Sequence, residues 1–152
     1  MGTSADGQIC YGVAFEEDFE FPWGDEEIED WWAHTVHGFK HSFELFDASG
    51  NYLNGREPSK DESSRYFAER REFDAAHPLP VKLVNYCSSE CPMYAIAAPS
   101  TIRTARRGYP TTLDLASLRV PESESAGLLK FFADHGIEAP DAPAWLLTSY
   151  WG

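Results

Sequence analysis

Large apolar residues alternate with smaller neighbours through "ICYGVAF", which places Ile9, Tyr11, Val13 and Phe15 on one side and predicts a strand. A turn follows at residues 22–24. Asp25 is then placed to cap a helix, with Glu26, Glu27 and Glu29 in its first turn, where the positive end of the helix dipole favours acids. Ile28, Trp31, Trp32 and Val36 recur at helical spacing, and Gly38 is a suitable stop. The stretch "FKHSFELF" reads as a short strand and "DASGNYLNGREPSK" as a surface excursion rich in turn formers. A second helix is predicted over "DESSRYFAERREFDAAH", starting near Ser63 or Ser64, closing at His77-Pro78 and burying a narrow stripe of Tyr66, Phe73 and Ala76.

"PVKLVNYCSSECPMYAIAAP" is the clearest hairpin, with β-branched and aromatic arms on either side of "SSE". Residues 99–120 follow no single period. Pro121 opens a third helix through Leu128, Leu129 and Phe132, ended by Gly136, with Ile137 placed to pack back in a Schellman-type cap. "AWLLTSYW" is a strand apolar on both sides, which predicts an interior position in the sheet. The order of elements predicts an α+β fold: an antiparallel sheet of four or more strands with about three helices packed mainly on one face. No repeat or linker interrupts residues 1–152, so a single domain is expected.

Apolar residues make up 43% of the chain and aromatics 14%, enough to fill a core without disulfides or metal. No apolar run reaches the ~20 residues that cross a bilayer, and "MGTSADGQ" has neither the basic nor the hydrophobic region of an export signal. Cys10, Cys87 and Cys91 are too few for a disulfide framework and fit a reducing compartment. A cytoplasmic protein with free thiols is expected.

The formal charge of -13 is unevenly distributed. Residues 1–62 carry 15 acids and 3 bases, residues 63–110 carry 4 and 7, and the remainder 6 and 2. Such a field repels nucleic acid and anionic membranes and steers the molecule toward basic surfaces, unless the acids serve solubility alone.

Catalytic signatures are missing from the sequence: there is no P-loop, dinucleotide fingerprint or G-x-S-x-G. His34, His37 and His41 lie close together, and Cys87 and Cys91 bracket the hairpin turn, which raises a His/Cys metal site or a thiol nucleophile paired with His77. The spacing argues against the metal site, and no marker of a thiol-enzyme family surrounds Cys87 or Cys91. Gly38 ends the helix before His41 can join the other two, and C-x3-C across a tight hairpin is not a common zinc spacing. No cofactor or metal is expected.

The densest signal is "AFEEDFEFPWGDEEIEDWW", with nine carboxylates and no base. Carboxylates that do chemistry stand singly in apolar surroundings. Glu16, Glu17, Asp18, Glu20, Asp25, Glu26, Glu27, Glu29 and Asp30, interleaved with Phe19 and Trp23 as exposed anchors, better suit contact with a partner that has a basic surface. Arg103, Arg106 and Arg107 in "RTARRG" form the only dense basic cluster, a second face suited to self-association or to an anionic patch.

"CYGVAFEEDFEFPWG", "IEDWW", "LPVKLVNYCSSECPMYAIA" and the closing "HGIE…SYWG" resemble small acidic accessory proteins of tailed bacteriophages and prophages. The resemblance brings no catalytic motif. It implies a class: proteins that bind and disable host machinery such as restriction or CRISPR effectors, sometimes by presenting acids in place of nucleic-acid phosphates. The expected function is therefore a non-enzymatic binding protein in the host cytoplasm, inhibiting a protein that handles nucleic acid, without itself binding nucleic acid or membrane. A small enzyme using His34, His37, Cys87 and Cys91, and an immunity-type or structural partner, are the alternatives.

Overall fold

The computed structural model describes residues 5–24, 27–40 and 55–151. Most of the expected strand at 39–46 lies outside them, as do Asp25 and Glu26. The first two residues of that stretch, 39 and 40, are not in a strand, and the first helix is capped at Glu27, not at Asp25, without a side-chain bond. The architecture is α+β, a mostly antiparallel five-stranded sheet with three helices, as the order of elements predicts. Contacts gather in two compact units, Met1–Gly24 with Pro80–Gly152, and Asp25–Leu79.

The first unit holds the sheet: β1 (Ala5–Phe15), β2 (Lys82–Ser88), β3 (Pro92–Ala97), β4 (Arg103–Ala105) and β5 (Ala144–Trp151), in the order β3-β2-β5-β1-β4. β1 is antiparallel to each of its partners. It pairs with β5 along residues 5–12 on one edge, and on the other with β4 at residues 7–9 and β3 at residues 12–15. β2 pairs antiparallel with β3 and reaches β5 in parallel at Cys87↔Tyr150 and Ser88↔Trp151. The pairings β1-β3-β2-β5-β1 therefore close into a ring, which removes most of the free edge of a small sheet.

Small side chains make the closure feasible. The cluster of Cys10, Val84, Ala95 and Ala97 is fully or nearly fully buried, with Ala14, Tyr86, Ile102 and Leu146 packed against it. Gly12 pairs with Ala97 on one side and Ala144 on the other. A Cβ there would fall 2.2 Å from the Ile96 carbonyl oxygen, so only glycine lets the β1 and β3 backbones approach this closely. Where β1 passes from β4 to β3, Thr101 accepts from the Tyr11 N–H at 2.9 Å and donates to the Ala98 carbonyl at 2.6 Å, satisfying a buried hydroxyl twice.

On the opposite sheet face Val13, Phe15 and Ile96 are buried, and α3 (Glu122–His135) contributes Leu128, Phe131 and Phe132, with Phe15 and Phe132 in edge contact at 6.3 Å. Pro121 and Gly136 bound α3 as expected. Gly136 has φ +64, and the Ile137 N–H reaches the Phe132 carbonyl while that of Gly136 reaches Ala133, both bonds of a Schellman cap.

In the second unit α1 (Ile28–Trp31) runs into a wider turn, Trp32–Val36, whose closing bond joins the His37 N–H to the Trp32 carbonyl five residues back. Ile28, Trp31 and Trp32 are buried, as their spacing predicts. α2 (Lys60–Ala76) starts earlier than expected. Ser59, not Ser63 or Ser64, is its cap, in a reciprocal capping box with Glu62. No side chain of α2 is fully buried and Ala76 is exposed, while Tyr66 and Phe73 are half-buried against Phe39 at ring distances of 5.6 and 5.4 Å. Among the described residues no helix is long and apolar enough to cross a membrane.

Candidate functional site

The acidic stretch does not form one continuous surface within one unit. Glu16, Glu17, Asp18 and Glu20 belong to the first unit and Glu27, Glu29 and Asp30 to the second, with the boundary after Gly24. Asp25 and Glu26 lie outside the described residues.

In the first unit β1 ends at Phe15 and the chain turns, the Phe19 N–H bonding the Glu16 carbonyl at 3.0 Å. The turn exposes all four carboxylates, and none makes an ion pair among the described residues. Four like charges within five residues repel one another, so the turn needs apolar anchorage. It comes from rings: Phe19 and Phe21 lie 4.8 and 5.1 Å from Phe15, and Trp23 stacks on Phe21 at 4.5 Å. Phe19 and Trp23, expected as exposed anchors, are half-buried in this cluster.

The turn lies beside the tip of the β2–β3 hairpin. Glu16, Glu17, Asp18 and Met93 line a shallow open depression, and the Cys91 thiol lies 3.9 Å from Oε1 of Glu17. That carboxylate is the main cause that raises the Cys91 thiol above its ordinary pKa, the opposite of what a nucleophilic cysteine requires. Cys87 holds the hairpin in a left-handed conformation, φ +74. Neither Cys91 nor Met93 could be linked to the acids from spacing alone, because their approach depends on β1 pairing with β3.

His34 and His37 are occupied in the second unit. His34 Nδ1 contacts the Phe39 carbonyl at 3.1 Å, while His37 meets Asp74 at 3.0 Å through Nδ1 and the His77 carbonyl through Nε2. The described residues bring no three His, Cys, Asp or Glu side chains together as a ligand set.

Arg103, Arg106 and Arg107 are exposed at the other end of β1. Arg103 lies in β4, paired with Ile9, and its guanidinium bonds the Ser100 and Ile102 carbonyls at 2.7 and 3.0 Å. Arg106 bridges to Tyr109 in a tight turn, and the Arg107 N–H donates to Asp6 at 3.1 Å. Beside them lies a surface that the sequence misplaced. β5 is interior in strand order, as expected, but Leu147, Trp151 and Trp145 are 80%, 51% and 39% exposed. Trp145, Leu147 and Trp151 alternate with the half-buried Leu146, Thr148 and Tyr150, and since both sets carry apolar side chains the sequence does not mark which of them faces solvent.

The comparisons with known proteins add no relative to this geometry: no family model, curated protein or solved structure matches the chain.

Proposed function

We propose that the chain is a non-enzymatic binding protein of the phage accessory class, whose acidic turn engages a basic surface on a host protein that handles nucleic acid. One observation carries this reading: Glu16, Glu17, Asp18 and Glu20 project from a ring-anchored turn with no ion pair among the described residues. Their mutual repulsion meets no ion-pair partner among the described residues and is relieved when lysines or arginines approach. Contact of this kind mainly sets the rate and selectivity of encounter, over a range of ~10 Å at moderate salt.

The test is capture from a bacterial host lysate with the wild-type chain and with a variant carrying Glu16→Gln, Glu17→Gln, Asp18→Asn and Glu20→Gln. The wild type should retain a nucleic-acid-handling protein in a salt-sensitive manner, and the variant should lose it while keeping its fold. Added nucleic acid should displace that protein if the acids stand in for phosphates. Equal capture by both forms would sink the reading.

A further inference from the structure

We propose that copies of this chain associate head to tail, the arginine end of the sheet in one copy receiving the acidic turn of the next. The two surfaces lie at opposite ends of one strand. Gly7 and Ile9 of β1 pair with Ala105 and Arg103, and Asp6 accepts from the Arg107 N–H, whereas Glu16 and Glu17 follow directly after Phe15. Residues 7 and 16 are separated by about 30 Å along an extended chain. The unit is thus electrically polar along β1.

Each end combines its charge with apolar surface. At the arginine end Ile9 pairs with Leu147 and with Arg103, so the three side chains share one face across β5, β1 and β4. They border a groove of about 180 Å³ that Ala105, Thr111 and Leu113 complete. Trp145 packs edge-on against Tyr11 at 5.7 Å and leaves part of its ring in solvent. At the acidic end the half-buried Phe19, Phe21 and Trp23 back the carboxylates.

Charge selects the occupant. Arg103 bonds only neutral carbonyls, and neither it nor Arg106 meets a carboxylate among the described residues. An acidic segment backed by rings fits this face, and the chain carries such a segment, four acids in five residues, at the far end of the same strand. A contact between two different patches repeats from copy to copy, so the assembly grows instead of closing as a two-fold dimer. The proposal is independent of the host-partner reading, although a basic partner on the acidic turn would compete with the next copy.

Sedimentation velocity on the full chain tests it. Mass should rise past two copies with concentration, and raising the salt from low to high should weaken association roughly tenfold. Two variants then separate the surfaces: Glu16→Gln with Glu17→Gln and Asp18→Asn, and Arg103→Gln with Arg106→Gln and Arg107→Gln. Each alone should be monomeric with an unchanged circular dichroism spectrum, and an equal mixture should form a dimer and stop there, since one matched interface survives. A wild type that stays monomeric, one that stops at two copies, or an acid-neutralised variant that still self-associates would each overturn the proposal. The salt dependence of the wild type keeps the test decisive if a variant fails to fold.

Discussion

The Cys91 thiol and the Glu17 carboxylate lie 3.9 Å apart although 74 residues separate them in sequence. The carboxylate raises the thiol above its ordinary pKa and so lowers its thiolate fraction. Glu17→Gln should therefore speed alkylation of Cys91 near neutral pH, read by mass spectrometry after a timed pulse of iodoacetamide. An unchanged rate would show that the acidic turn and the hairpin tip are not adjacent in solution.

Gly12 and Gly7 make a matched pair on one strand. A Cβ at Gly12 would overlap the Ile96 carbonyl, whereas one at Gly7 meets nothing within 4 Å. Gly12→Ala should destabilise by at least ~1–3 kcal/mol, the usual cost of overpacking. Gly7→Ala should be close to neutral. Denaturant melts of the two variants check the contrast.

The Cys10 thiol is raised to about 11 by burial inside the ring. The unfolded chain releases this proton near pH 9.0 while the folded chain retains it to about 11, so the thiol's contribution to stability is complete below the first value and lost through the second. Thermal melts should show a loss of stability over this range that Cys10→Ala reduces. Cys10 should also resist alkylating reagents under native conditions.

In the second unit, Glu62 is held at about 2, chiefly by the Ser59 N–H with help from the Arg56 guanidinium. Its contribution is present above the unfolded value of 4.5 and disappears as the pH falls through about 2. Ser59→Ala should cost ~1 kcal/mol, as loss of a helix cap does. Glu62→Gln should flatten the acid limb of the stability profile, measured by the helical circular dichroism signal across pH.

Trp31 and Trp32 are 4% and 6% exposed, and truncating either to Ala should destabilise by ~3–5 kcal/mol. Neutralising Glu29 or Asp30 beside them should leave the melting temperature almost unchanged, since both are solvent-exposed.

Much of the fold was legible locally. The alternation around Tyr11, the Schellman signal at Gly136-Ile137 and the two arms of the hairpin each name their element, because each depends on neighbours in sequence. The capping box was legible too: "SKDE" contains the signature, but the apolar residues of α2 drew the start toward Ser63. β4 was not legible. Three residues establish no period, and they are strand only because β1 pairs with them. The acidic stretch was recognised as a composition but not as a geometry, since nothing in its residues marks a division after Gly24. The exposed side of β5 was misread for a similar reason: hydrophobicity cannot say which face a neighbouring helix covers.

The ring of pairings has a consequence for the chain during synthesis. β1 leaves the ribosome before every one of its partners, all of which lie at or beyond residue 94, and the ring closes only when residues 144–151 have emerged. At ~5–20 residues per second the first strand waits several seconds with its backbone unpaired. Tyr11, Val13 and Phe15 are exposed to the cell throughout that interval, so nascent chains halted before β5 should be the species that trigger factors, chaperones and proteases recognise.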